Sequence, residues 1–178
     1  SSLFGYGSFD DLSVKNSAKA LFYFALGLPA FSFIKIFSSF LFARHNTKVP
    51  FYFSVISVII NIIISIYYFN KIGFIIIPMA TTISSWLNAI LLLIYLTNKK
   101  YYSINSIFLY SLIKISLSTA ITSYIFYNLI NFFSDNLSYN SEYKLVSIIL
   151  LVIVTFIIYI LTSILTKAFK ISDIKLKY

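Results

Sequence analysis

Cysteine is absent from the 178 residues, which excludes disulfides, thiolate metal sites and cysteine nucleophiles. Glycine occurs four times and proline three, so few breakers interrupt long helices and a loop-rich fold is excluded. Acidic residues number five against fourteen basic ones, and the single histidine, His45, lies between two apolar runs. No carboxylate sits inside an apolar run, and no paired acids, Gly-rich phosphate cradle or metal-binding His/Asp spacing occurs. The sequence therefore predicts a protein that is not an enzyme and carries no cofactor built from these groups.

What is present is hydrophobic length. With 60% hydrophobic and 11% charged residues and a mean hydropathy of +0.90, the chain has too little polar surface to cover a soluble globule. It belongs in a bilayer. A helix rising about 1.5 Å per residue needs about 20 residues to cross a hydrocarbon core of about 30 Å. Runs of that length span residues 20–43, 51–69, 74–96, 107–133 and 145–166. The period-two alternation of a membrane barrel is missing from stretches such as SIILLVIVTFIIYIL. The fold class is all-α integral membrane, with five transmembrane helices.

Five crossings sort the charges. One side carries Arg44, Lys48, Lys99, Lys100, Lys167, Lys170, Lys175 and Lys177; the other holds Lys15, Lys19, Lys71 and Lys144 with Asp10, Asp11, Asp135 and Glu142. Basic residues favour the cytoplasm, so the tail at 167–178 and the loop at 99–106 are expected there, and residues 1–19 outside as a periplasmic loop and helix start. Residues 20–98 then hold the first three helices and 107–166 the last two. The net charge of +9 reads as topology: the basic residues are spread over separate loops, unlike a nucleic-acid surface. The start lacks a signal-peptide pattern that would carry it across a membrane, which predicts the tail of a longer polytopic protein.

Polar residues inside the runs are the candidate sites. Ser32, Lys35 and Ser39 share one stripe of the first helix. Lys35 lies about 12 Å from the cytoplasmic end, further than a lysine stem comfortably snorkels, so it faces a cavity or fixes packing through neighbouring carbonyls and hydroxyls. Gly27 and Pro29 permit a kink just before it. Lys114 sits nearer an interface, where snorkelling accounts for it. Ser116, Ser118, Thr119, Thr122 and Ser123 form a small polar surface suited to close helix contact. The second and third helices form a hairpin around Asn70-Lys71-Ile72-Gly73, which brings Asn61 and Ser65 level with Thr81 and Thr82. Two uses remain open there: interhelical hydrogen bonding, or neutral oxygens for a Na⁺ ion held by Asn61 and Thr81. Thr81, Ser85 and Asn88 continue a polar stripe.

Ala25-Leu26-Gly27-Leu28-Pro29-Ala30-Phe31, Lys35, then Phe42-Ala43-Arg44-His45-Asn46-Thr47-Lys48-Val49-Pro50 resembles the GLPAF…K…FYAR-x-DTKTPV signature of the MurJ/MviN lipid II flippases. Leu3-Phe4, Gly7, Phe9, Asn61, Gly73, Ala80-Thr81 and Trp86-Leu87-Asn88-Ala89 extend the resemblance, which runs from Leu3 to Asn98. The chain departs from the pattern at Tyr6, Asn46, Pro78-Met79 and Ser65, the last standing where a proposed sodium site has Asp.

The resemblance implies the last third of a fourteen-helix, MATE-like flippase of the bacterial inner membrane. These five helices would form part of its C-terminal lobe, alternating access to move the lipid-linked peptidoglycan precursor between leaflets. It also implies a polyprenyl groove along the last two helices and dependence on the preceding part of the same protein. In that setting Lys35, with Ser32 and Ser39, is expected to face the diphosphate, and Arg44 and Lys48 to form the cytoplasmic rim or touch anionic membrane lipid. An exporter of another polyprenyl-linked oligosaccharide or drug, and a non-transporting membrane scaffold, are the alternatives.

Overall fold

Every described element is helical, as the long apolar runs and scarce breakers require. The computed structural model describes residues 11–103, 105–134, 136–137 and 143–168. In chain order they form α1 (Asp11–Ala43), α2 (Lys48–Ile72), a 3₁₀ turn (Gly73–Ile75), α3 (Ile76–Asn98), α4 (Ser106–Phe132) and α5 (Lys144–Leu165). Four continuous helical stretches are long and apolar enough to cross a membrane, and one of them, Lys48–Asn98, contains the whole α2–α3 hairpin. Leu3, Phe4, Tyr6, Gly7, Phe9, Asp10, Asp135, Glu142, Lys170, Lys175 and Lys177 lie outside the described residues.

The first helix reaches back beyond its apolar run. Helix is already present at Asp11, the first described residue, and runs without a break into the apolar segment at residue 20, because no glycine or proline stands between Asp11 and Ala20 to stop it, and polarity alone does not end a helix. At 33 residues it is about 50 Å long, more than a hydrocarbon core needs. Pro29 lies within it without ending it. The other helices begin and end within three residues of expectation, the third being preceded by its 3₁₀ turn.

Two packing units emerge, α1–α3 with their connections and α4–α5. In the first, Ser54 meets Asn88 and Asn61 meets Thr81, so α2 and α3 are antiparallel. Gly73 makes the turn possible: its φ of 75° is one that side-chain-bearing residues seldom adopt, and its N–H caps α2 on the Phe69 carbonyl. Thr82 meets Tyr23 and Trp86 meets Leu26, so α1 and α3 run parallel. α3 is thus the central helix, burying Ala80, Ser84, Asn88, Ala89, Leu92 and Leu96 between its neighbours. Leu41, Leu92 and Leu96 form the apolar core, with Phe37, Phe53 and Tyr102 packed around it. Lipid tails are as apolar as leucine, so close packing and buried polar contacts, more than hydrophobic burial, hold such helices together. The outward faces are apolar, as at Ile66 and Tyr67 on α2.

Three helices end alike. After α1, α3 and α5 the chain turns through His45, Lys100 and Lys167, with φ values of 57°, 55° and 55°. In each case two backbone N–H groups close on the last turn: Asn46 on Leu41 and His45 on Phe42, Tyr101 on Leu96 and Lys100 on Thr97, Ala168 on Ser163 and Lys167 on Ile164. This is the Schellman closure, with a basic side chain or imidazole where glycine is usual. The left-handed conformation costs about 1–2 kcal/mol for such residues, but a cation there faces the negative end of the helix dipole.

Candidate functional site

The α2–α3 interface carries a polar seam, buried at Ser57, Ser84, Ser85 and Asn88 and half-buried at Asn61, Ser65 and Thr81. Asn61 Nδ2 donates to Thr81 Oγ1 at 3.2 Å and to Ser84 Oγ at 3.4 Å, while Ser65 Oγ donates to Asn61 Oδ1 at 3.2 Å. Ser84 and Ser85 return their hydroxyls to the Thr81 carbonyl. Further along, Asn88 Nδ2 donates to Ser54 Oγ at 3.4 Å. Two buried atoms in this seam, Ser57 Oγ and Asn88 Oδ1, have no hydrogen-bond partner among the described residues.

The hairpin register therefore brings Asn61, Ser65 and Thr81 together as expected. Thr82 does not join them. One residue further round α3, it faces α1 and donates to the Tyr23 carbonyl at 2.6 Å. Ser84, which the sequence reading passed over, takes the place beside Asn61. As arranged, these residues form a hydrogen-bond network: the Asn61 amide turns its N–H toward Thr81 and Ser84, and its carbonyl accepts from Ser65. Among the described residues there is no cluster of three His, Asp, Glu or Cys side chains suited to a metal.

Gly27 explains how α1 approaches α3. A Cβ added there would stand 3.1 Å from Thr82 Oγ1 and 3.3 Å from the Phe31 ring. Its absence lets Thr82 reach the α1 backbone, and Trp86 Nε1 reaches the Leu26 carbonyl at 3.1 Å just beyond. Gly27 thus serves helix contact, with Ala30 buried one turn on, while Leu28 and Pro29 face outward.

Ser32, Lys35 and Ser39 are exposed together on the opposite stripe of α1. Ser32 returns its hydroxyl to the Leu28 carbonyl at 3.1 Å. The Lys35 ammonium group makes no ion pair with any described residue, and the sequence has no acid between Leu12 and Ser134 to supply one locally. Lys114 is half-buried on α4.

At the α1–α2 turn, the Arg44 guanidinium lies 4.2 Å from the centre of the Tyr101 ring and 5.0 Å from that of Phe40, a stacked arrangement joining the end of α1 to the segment after α3. Asn46 bridges the same region, donating to the Tyr95 hydroxyl at 3.2 Å and accepting from Val49 N at 3.4 Å. Lys48 opens α2 beside a groove of about 580 Å³.

In the second unit, α4 and α5 are joined by a hydroxyl ladder. Ser118 Oγ lies 2.6 Å from Thr166 Oγ1, and Thr122 Oγ1 3.1 Å from Thr162 Oγ1, an antiparallel register. Beyond it the helices part around a largely apolar groove of about 400 Å³, lined by Thr119, Phe126, Val152, Thr155, Phe156 and Tyr159 among others. The expected polar surface thus divides: Ser118 and Thr122 close the helices, while Thr119 and Ser123 border the groove.

The family model of the lipid II flippase MurJ matches residues 1–148. A probable lipid II flippase MurJ of Buchnera aphidicola subsp. Acyrthosiphon pisum is 34% identical over 105 residues, covering 57% of this chain and 20% of the relative. Proteins of the same description from Rickettsia prowazekii and Rhizobium meliloti are 36% and 37% identical over 93 and 90 residues, or 52% and 51% of this chain and 18% and 17% of theirs. The chain therefore spans about a fifth of the length of the curated relatives it matches. On the match over residues 1–148, the chain belongs to the lipid II flippase MurJ family.

Proposed function

We propose that the full-length protein carrying this chain moves lipid II, the undecaprenyl-linked peptidoglycan precursor, from the cytoplasmic to the periplasmic leaflet of the bacterial inner membrane. The reading rests on the family match over residues 1–148. Transport proceeds by alternating access between two lobes, without covalent chemistry, and these helices contribute five crossings to the C-terminal lobe with the tail in the cytoplasm. The basic residues of the α1–α2 turn, the segment after α3 and the end of α5 support that orientation.

Lys35 supplies cavity charge in this reading. Placing a lysine at mid-membrane costs about 2.5–3.5 kcal/mol, and pairing with a diphosphate offsets it in the transport cycle. Its exposure on the same stripe as Ser32 and Ser39 supports the assignment. Arg44 and Lys48 form the cytoplasmic rim, and the apolar α4–α5 groove takes the polyprenyl chain. Na⁺ is given no step in this proposal, which reads the Asn61–Thr81 pair as an interhelical hydrogen bond; exchanging Na⁺ for K⁺ should then leave the melting temperature of the full-length protein unchanged, and a Na⁺-specific rise abolished by Asn61→Leu would bring the ion into the cycle.

The test uses bacteria depleted of their own flippase and expressing the full-length protein, with lipid II in the outer leaflet quantified. Restored exposure is expected. A well-expressed protein that restores none would contradict the reading in favour of another polyprenyl-linked substrate or a scaffold.

A further inference from the structure

The groove beside Lys48 lies where α1 ends and α2 begins, at a helix terminus and hence at the edge of any bilayer these helices cross. Its wall is two-toned. Phe42, Phe51 and Tyr52 give it an apolar side, while Ser38, Thr47 and Lys48 bring two hydroxyls and an ammonium group to the same space. Lys48 is exposed and makes no ion pair among the described residues, and the Thr47 hydroxyl does not cap α2. Arg44, the nearest other strong cation in sequence, is occupied by stacking on Tyr101 and Phe40.

Charge decides what such a groove holds. From Leu12 to Ser134 the sequence carries nine lysines and arginines and not one carboxylate, so no local acid can neutralise Lys48. We infer that the α1–α2 groove binds an anionic phospholipid, with the headgroup phosphate on Lys48, Thr47 and Ser38 and an acyl chain along Phe42, Phe51 and Tyr52. A phosphate offers several strong acceptors to an ammonium and two hydroxyls, and Phe42, Phe51 and Tyr52 supply apolar wall for an acyl chain in the same groove. The inference does not depend on which substrate is transported.

Native mass spectrometry of the detergent-solubilised full-length protein with added phosphatidylglycerol tests it. Relative to wild type, Lys48→Gln should retain about five- to tenfold less of the tightest-bound phosphatidylglycerol, the order expected from one charge-assisted contact. Lys48→Arg should keep it. Lys71→Gln should also keep it, because Lys71 stacks over Tyr67 and Tyr68 at the other end of α2. Phosphatidylcholine should be retained weakly by all four proteins. Equal phosphatidylglycerol retention by wild type and Lys48→Gln would overturn the site, as it would if an acid elsewhere in the full-length protein occupies Lys48. Displacement of the lipid by inorganic phosphate alone would overturn the lipid as its source.

Discussion

The two packing units use the same residue types to opposite ends. In α1–α3, serine, threonine and asparagine bond across and bury the central helix, with Gly27 removing the bulk that would hold α1 away. In α4–α5, a shorter ladder at Ser118 and Thr122 ties the helices at one point and leaves a groove beside it. Small polar residues therefore do not specify closure by themselves. What separates the units is the partner presented opposite them: an amide with two donors and one acceptor in the first, single hydroxyls in the second. An amide links several groups, so it extends a seam along a whole interface, while hydroxyl pairs act locally.

The largest stability effect is expected at Gly27. Gly27→Leu should lower the stability of the full-length protein by roughly 2–3 kcal/mol, since even the first added carbon meets Thr82 and Phe31. Thermal unfolding in detergent measures it, and a loss below that of Asn61→Leu would show that α1 does not depend on the close approach. Asn61→Leu, which removes three side-chain hydrogen bonds, should cost about 1–2 kcal/mol. Thr122→Val, which removes one interhelical contact, should cost only about 0.6 kcal/mol. The inverse order in the same unfolding assay would break the distinction between seam and ladder.

A gain is expected where the backbone is strained. Lys100→Gly relieves the left-handed conformation and should stabilise the protein by about 1 kcal/mol after the lost dipole interaction is set against it. A destabilised variant would mean that the cation at the end of α3 matters more than its backbone cost.

Much of this contrast was legible beforehand. Run length and the scarcity of breakers sufficed for the helices, and the Asn70–Gly73 turn fixed a register that put Asn61 opposite Thr81. Three features were not legible. The helical course of residues 11–19 depends on helix continuing through a polar stretch that hydropathy leaves outside the membrane. The direction of Thr82 depends on α1 docking parallel to α3, which no local pattern encodes; the combination of Gly27 with a threonine and tryptophan four residues apart was the available signal. The three Schellman ends were hidden because glycine, the usual marker of that turn, is absent from all of them.

The central claim concerns the charge on α1, and it is tested most directly by comparing Lys35→Ala with Lys114→Ala in the full-length protein, at matched membrane abundance. Lipid II reaching the outer leaflet is the measurement. Lys35 is exposed on a polar stripe and makes no ion pair among the described residues, whereas Lys114 is half-buried and expected to snorkel to an interface. Lys35→Ala should therefore reduce transport more strongly than Lys114→Ala. Near-normal transport by both variants would contradict the account and remove Lys35 from the pathway.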